Sequence, residues 1–175
     1  MRHVLIILGA AVMAANPVLA ADSHIGHDQK SPYAGQQTRD IKALSGKDVE
    51  ELLRGGGWGL AKAAELNDMP GPAHVLDMAN DLHLSADQVE SVGKVRDDMR
   101  EKAVALGERF VSKEGELEAR FRSGDFPQAE LALRVKQIET LRAELRIAHL
   151  SAHLEVARIL TKDQVERYCS LRGYR

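Results

Sequence analysis

The stretch PQAELALRVKQIETLRAELRIAHLSAHLEVARIL, residues 127–160, decides the fold that we predict for this chain. Its 34 residues contain no glycine and no internal proline, and as a helix they would span roughly 50 Å. One seam repeats every seven residues and consists of Leu131, Ile138, Leu145, Ala152 and Ile159. A second seam, four residues further on, consists of Val135, Arg142, His149 and Val156. That spacing predicts a helix packed lengthwise against another helix.

A second long helix is predicted just before this stretch. Ser85 and Gln88 form a capping-box pattern that opens a helix running to about Arg122, and the following SGDFP closes an antiparallel hairpin. With a turn centred between Gly124 and Asp125, residues whose numbers sum to about 249 lie level with each other. Glycine in a helix interior costs about 1 kcal/mol relative to alanine. We therefore expect a bend or a close backbone approach at the three interior glycines, Gly93, Gly107 and Gly115.

Short helices are predicted ahead of the hairpin. Ser45 and Asp48 form another capping pattern, and the helix that they open ends at the glycines of residues 55–57. Trp58 follows as an anchor, and two further short helices are predicted at residues 60–66 and 72–82. The resulting fold class is all-α, with residues 38–71 forming short helices around a Gly-rich link and residues 72–175 forming a helical hairpin domain.

The N-terminal residues predict export. Arg2, the apolar run at residues 4–15, Pro17 and the VLA that ends at Ala20 match a secretory signal peptide over residues 1–20. The apolar run is too short to span a bilayer. Residues 21–37 are predicted to be a flexible arm, and the mature chain is predicted to be periplasmic. His24 and His27 are interpreted as solvated residues of this arm, although cleavage after residue 21 would create an N-terminal Cu(II) or Ni(II) chelate.

Composition narrows the partners of the mature chain. Without residues 1–20 it has 23 basic and 26 acidic side chains, a formal charge of −3, which disfavours nucleic acid. The scarcity of aromatic residues indicates a thin bundle, and such bundles often complete their core by dimerising, so we expect a homodimer. Cys169 is the only cysteine, which excludes an intrachain disulfide bond.

The chemical feature that stands out is a pair of histidines on one helical face, His149 and His153. Two imidazoles at this spacing can hold one Zn(II), Ni(II), Co(II) or Cu(II) ion together with one or two further ligands. The alternative is a seam histidine bonded to Asp97 or to a carbonyl, with His153 on the rim. The predicted register places Asp97 within reach of the pair. His74 and Met78, four apart on a short helix, are further candidate ligands, and their alternative role is to cover the bundle.

The motifs Leu84-Ser85-Ala86-Asp87-Gln88 and Leu160-Thr161-Lys162-Asp163-Gln164 stand at the two ends of the hairpin. Over about residues 72–174 the chain resembles the Spy/CpxP-like LTXXQ-motif periplasmic family, with its zinc-resistance-associated and CnrX-like heavy-metal-sensor relatives. The resemblance implies an all-α, bent antiparallel homodimer. In the sensor relatives, ligands precede both motifs and follow the first. The corresponding positions here are His74 with Met78, Asp97, and His149 with His153, with Met and His partners exchanged.

These observations predict an exported envelope-stress protein that binds or senses a transition metal ion. One alternative is an ATP-independent chaperone of the Spy/CpxP type that shields unfolded envelope proteins. Another is an adaptor for a membrane sensor, with Leu52, Leu53 and Trp58 as contact residues. We do not expect an enzyme, because the sequence has no Ser or Cys nucleophile motif, no isolated carboxylate pair and no cofactor loop.

Overall fold

The computed structural model describes residues 30–124 and 126–175. Within these ranges there is no strand, and a 3₁₀ helix at Gln36–Thr38 precedes six α-helices: α1 (Gly46–Leu53), α2 (Lys62–Glu65), α3 (Pro72–Asp77), α4 (Ala86–Ser123), α5 (Gln128–Ile159) and α6 (Lys162–Leu171). The predicted all-α fold with a long helical hairpin is confirmed, since α4 and α5 pack along each other. The predicted signal peptide and most of the predicted arm, including His24 and His27, lie outside the described residues. None of the helices described combines the length and the apolar character needed to cross a membrane.

Two ion pairs between α4 and α5 show the register of the hairpin. Arg120 lies 3.2 Å from Glu130, and Arg134 lies 3.7 Å from Glu116. The residue numbers sum to 250 in both pairs, so the antiparallel register predicted from the turn is confirmed to within one residue. Helix α4 is capped at its C-terminus by Gly124, whose φ of 73° only glycine adopts at little cost.

The repeated motifs meet at the open end of the hairpin. Ser85 caps α4 and Thr161 caps α6, and each capping box is closed by its own glutamine. The two glutamines also bond to each other: Gln88 Nε2 donates to Gln164 Oε1 at 2.8 Å, and Gln164 Nε2 donates to Gln88 Oε1 at 3.0 Å. Gln88 Nε2 additionally lies 3.0 Å from the carbonyl of Ile159, the last residue of α5. The repeat therefore joins the start of α4, the end of α5 and the start of α6.

The short helices pack on the hairpin, and residues 35–175 form one unit. Ser45 and Asp48 make the predicted capping box of α1, and Pro72 occupies the first turn of α3 as predicted. The predicted helices at residues 60–66 and 72–82 are both shorter than expected. Helix α3 ends at Asp77, and the chain turns at His83, which has a left-handed φ of 50°, before it reaches the cap of α4.

Two separate hydrophobic clusters form the core. The central cluster joins α1 and the segments around it to the middle of the hairpin, and its buried members are Leu44, Leu52, Leu60, Ala103, Phe110, Ile138, Leu141 and Leu145. The end cluster joins α3, α6 and the open end of the hairpin, and its buried members are Val75, Leu82, Val92, Val156, Leu160, Tyr168 and Cys169. Along α5 the first cluster ends at Leu145 and the second begins at Val156. The two buried histidines of α5 lie between them.

The second predicted seam of α5 is partly wrong. Val135 and Arg142 are exposed, while Leu141 and His153 are buried in their place. An α-helix has 3.6 residues per turn, so a strict seven-residue pattern drifts around a helix that does not supercoil. Arg142 instead places its guanidinium 5.5 Å from the centre of the Trp58 ring, outside the hairpin core.

Only one of the three interior glycines of α4 marks a close backbone approach. A Cβ atom on Gly107 would lie 2.3 Å from the carbonyl oxygen of Leu52, at the end of α1. A Cβ atom on Gly93 would meet nothing within 4 Å, and one on Gly115 would meet only Ile41, at 3.7 Å. The expected close approach is thus found at Gly107, where the end of α1 packs against the hairpin.

Candidate functional site

A cavity of about 540 Å³ opens between the Gly-rich link and the junction of the two hydrophobic clusters. His149 and His153 of α5 line it together with Met99 of α4. The link and the short helices supply the rest of the wall, including the polar residues Glu51, Arg54, Lys62, Glu65 and His74. Arg172 and Tyr174, beyond α6, complete the rim. Residues from five helices thus line the cavity that contains the histidine pair.

His149 is 3% exposed, and its Nε2 atom has no hydrogen-bond partner. Burial lowers the pKa of His149 below its ordinary value, and the nearby His153 lowers that pKa further. A backbone hydrogen bond at Gly56 and the charge of Glu51 act in the opposite direction. The lowered pKa keeps the ring neutral at pH 7, and its buried Nε2 is left without a hydrogen bond.

His153 is also buried, and a backbone carbonyl orients its ring. Its Nδ1 atom lies 2.7 Å from the carbonyl oxygen of Met69. A carbonyl can only accept, so Nδ1 carries a proton, and in the neutral form of the ring Nε2 has the free lone pair. Gly71 packs against the free edge of this ring, where a Cβ atom would lie 3.1 Å from Nε2 and 3.0 Å from Cε1. Glycine at position 71 thus leaves the Nε2 edge of His153 uncrowded.

A polar network behind His153 is centred on Glu65. The hydroxyls of Tyr168 and Tyr174 donate to Oε1 of Glu65 at 2.5 and 2.9 Å, and Nε of Arg172 lies 3.4 Å from the same oxygen. Burial alone would raise the pKa of Glu65, but the two hydroxyls, with smaller contributions from His153 and Arg172, hold it below its ordinary value. Oε2 of Glu65 lies 3.8 Å from Nδ1 of His153. Glu65 is thus an ionised carboxylate on the protonated side of that ring.

Contacts of Trp58 hold the Gly-rich link in place at the cavity that His149 lines. The backbone N–H of Trp58 donates to Oε1 of Glu51 at 2.9 Å, and its indole Nε1 donates to Asp48 at 3.0 Å. Its ring lies 5.5 Å from that of Phe110 in the central cluster. Trp58 has a φ of 43°, an unfavourable conformation for a non-glycine residue that these contacts offset.

The predicted site residues divide into two groups. His74, His149 and His153 line the same cavity. Met78 is partly buried against the end cluster, and Asp97 forms an exposed ion pair with its neighbour Arg96 at 2.7 Å. Neither Met78 nor Asp97 lines the cavity, so the predicted register did not bring Asp97 to the histidine pair.

The cavity also contains functional candidates that the sequence analysis missed. Glu51 and Glu65 line the cavity, and Gly71 packs against His153. All three precede residues 72–174, the segment that contains the two repeated motifs and the predicted ligands. Their only sequence signal is their position in short helices and turns that must cover the hairpin. No group of three or more His, Cys, Asp or Glu side chains within residues 30–124 and 126–175 is arranged to hold a metal ion. The histidine pair by itself therefore offers two ligands.

Comparison with family models, with curated proteins and with solved structures gives no match for this chain.

Proposed function

We propose that this chain is an exported protein that binds a transition metal ion and thereby buffers or reports it, with His149 and His153 as the first two ligands. The observation that carries the proposal is the buried Nε2 atom of His149, which has no partner and belongs to a side chain that lines the same cavity as His153. A buried polar atom without a hydrogen bond costs about 1–3 kcal/mol. A cation bound at this atom would remove that cost.

The hydrogen bonding of the two rings suits a metal site. Metal-ligating histidines commonly donate one ring N–H to a carbonyl or carboxylate and coordinate through the other nitrogen. His153 donates from Nδ1 to Met69, and Nε2 of His149 has no hydrogen-bond partner. Imidazole pairs favour Zn(II), Ni(II), Co(II) and Cu(II) over Ca(II) or Mg(II), which prefer oxygen ligands. His74, a carboxylate of the cavity or water would supply the remaining ligands.

The proposal is tested by calorimetric titration of the chelator-treated chain with Zn(II), Ni(II), Co(II) and Cu(II). We expect tight binding of at least one ion, which is lost when His149 and His153 are both changed to Gln. His83→Asn is the matched control, because His83 is exposed and asparagine tolerates its left-handed φ. A second control carries His24→Asn and His27→Asn. Unchanged binding by the His149/His153 variant, or binding that depends only on His24 and His27, would refute the proposal.

The chaperone remains the second candidate, and a specific surface favours it. Helix α5 exposes three large apolar residues, Leu133, Ile147 and Leu154, whose residue surfaces are 61%, 62% and 44% accessible to solvent. Their spacing along the helix is a multiple of seven. An exposed apolar row of this kind serves to dock unfolded clients or a second copy of the chain. We expect the chelator-treated chain to suppress client aggregation, and Ile147→Ser with Leu154→Ser to remove that effect. Equal suppression by this variant would rule out the surface.

The adaptor hypothesis has less support from its expected contact residues. Leu52 is 1% exposed and belongs to the central cluster, so it is unable to contact a partner. Trp58 is half-buried and engaged by Glu51 and Asp48. Of the three residues expected to make the contact, Leu53 alone is exposed, at 42%.

A further inference from the structure

We infer that the cavity is a binding site for a small organic acid, a monocarboxylate with an apolar body, whose carboxylate is held by Arg54 and Lys62. This inference goes beyond the proposed function and does not depend on a metal ion. It rests on the size of the cavity, on the apolar part of its lining and on the charges at its rim.

The cavity has room for a small molecule. Its volume of about 540 Å³ lies within the range of known ligand pockets, roughly 300–1,000 Å³. Trp58, Leu66, Pro72 and Met99 contribute apolar side chains to its lining. Leu66 is 59% exposed, so contact with an apolar ligand would remove part of its surface from water. These features fit a ligand whose larger part is apolar.

Two basic side chains of the lining have no charge partner. Arg54 follows α1 and Lys62 begins α2, so they stand on either side of the Gly-rich link, and both are exposed. Within residues 30–124 and 126–175, neither side chain makes a hydrogen bond or an ion pair. A carboxylate binds such groups through charge-assisted hydrogen bonds, and a guanidinium can hold it through two parallel bonds.

The acidic side chains of the lining are already engaged. Oε1 of Glu51 accepts the amide of Trp58 at 2.9 Å. Glu65 accepts from two tyrosine hydroxyls and lies 3.4 Å from Nε of Arg172. The two unpaired basic side chains therefore remain for a ligand, and together with Arg172 they outnumber the two carboxylates of the lining. The whole chain has the opposite balance, a formal charge of −2, so the cavity is a local site of attraction for an anion.

An anion at the rim is compatible with the proposed metal site. The histidine pair belongs to α5, on the hairpin side of the cavity, whereas Arg54 and Lys62 flank the link. The negative charge of the ligand would also offset the repulsion between these two side chains and a metal ion at the histidines.

The experiment is a calorimetric titration of the metal-free full chain with 4-phenylbutyrate, with the fluorescence of Trp58, the only tryptophan, recorded in parallel. The matched ligand is 4-phenylbutanamide, which has the same apolar body and no charge. The double variant Arg54→Gln with Lys62→Gln is compared with the double variant Lys47→Gln with Lys136→Gln. The control pair consists of exposed lysines that do not line the cavity. All four substituted side chains are exposed, so the fold is preserved.

We expect 4-phenylbutyrate to bind the parent chain with a dissociation constant in the millimolar range or below, and to change the emission of Trp58 at the same concentrations. The Arg54/Lys62 variant should bind it at least about tenfold more weakly, because it loses hydrogen bonds to charged groups. The amide should bind the parent chain more weakly by a similar factor. Leu66→Ser should also weaken binding, whereas the Lys47/Lys136 variant should bind like the parent.

Equal affinity for the acid and the amide, or an unchanged affinity of the Arg54/Lys62 variant, would overturn the inference. Absence of 4-phenylbutyrate binding by the parent chain would also overturn it. Each of these results would leave the proposed function standing, because no metal ion takes part in the titration. Binding of 4-phenylbutyrate by a chain that fails to bind Zn(II), Ni(II), Co(II) and Cu(II) would support this inference and refute the proposed function.

Discussion

Changing Gly107 to alanine tests the packing of α1 on the hairpin. In an exposed helix this substitution would stabilise the fold by about 1 kcal/mol. Here the new Cβ would lie 2.3 Å from the carbonyl oxygen of Leu52 and 2.9 Å from its carbonyl carbon, and both are backbone atoms that no side-chain rotation can move away. Helix α1 must therefore shift away from α4.

The magnitude follows from two opposing effects. Overpacking of a close-packed site costs about 1–3 kcal/mol, and displacement of α1 also lifts Leu52, now 1% exposed, out of the central cluster. Full burial of a leucine side chain contributes about 1.5–3 kcal/mol, part of which would be lost. After subtraction of the helix-propensity gain, we expect Gly107→Ala to lower the free energy of unfolding by about 2 kcal/mol.

Gly93→Ala is the matched control, because Gly93 lies in the same helix and its new Cβ would meet no neighbour within 4 Å. We expect this variant to be as stable as the parent chain or to gain up to about 1 kcal/mol. Urea unfolding followed by far-UV circular dichroism compares the three proteins. If Gly107→Ala unfolds at the same urea concentration as Gly93→Ala or at a higher one, the close approach of α1 to α4 is refuted.

Three further predictions concern the cavity and its surroundings. Gly71→Ala would bring a Cβ to 3.1 Å from Nε2 of His153, so we expect roughly tenfold weaker Zn(II) binding by calorimetry; unchanged affinity would contradict a ligand role for that nitrogen. Burial and a hydrogen bond to an aspartate raise the pKa of Cys169 to about 11, so a thiol reagent at mildly alkaline pH should label it at least about a hundredfold more slowly in the folded chain than in urea. Similar rates would show that Cys169 is accessible. Asp48→Asn weakens the cap of α1 and the bond to the Trp58 indole, so we expect a loss of about 1 kcal/mol and a red shift of the emission; a variant with the parent's stability and spectrum would be evidence against both contacts.

The long helices were predictable because their signals are local. Capping pairs such as Ser85 with Gln88 act over a single turn, and the apolar repeat of α5 extends over its whole length. The register followed from the short turn alone. The seam containing Arg142 was not predictable in detail, since the twist of the two helices and the place where Trp58 packs decide which side chains face inward.

The candidate site was predictable only on the hairpin side. His149 and His153 were found because two histidines one turn apart on a helix must share a face. The positions of Glu51, Glu65 and Gly71 near the pair depend on the irregular turns between the short helices. The direction of these turns depends on left-handed residues such as Trp58 and on close backbone approaches, which no periodic pattern encodes. Asp97 is level with the pair but pairs with Arg96 outside the cavity, because a level position on the neighbouring helix does not decide which way the side chain points.

The reciprocal amide pair of Gln88 and Gln164 selects one lengthwise alignment of the hairpin helices. Helices with apolar residues seven apart can bury nearly as much surface after sliding past each other by one repeat, and burial alone discriminates poorly between such alignments. Two amides that must each donate and accept match in one alignment only, because a slide of even one turn would separate them by about 5 Å. The turn at Gly124 sets the alignment at one end of the hairpin, and the two glutamines satisfy each other's hydrogen bonds at the other end only in that alignment.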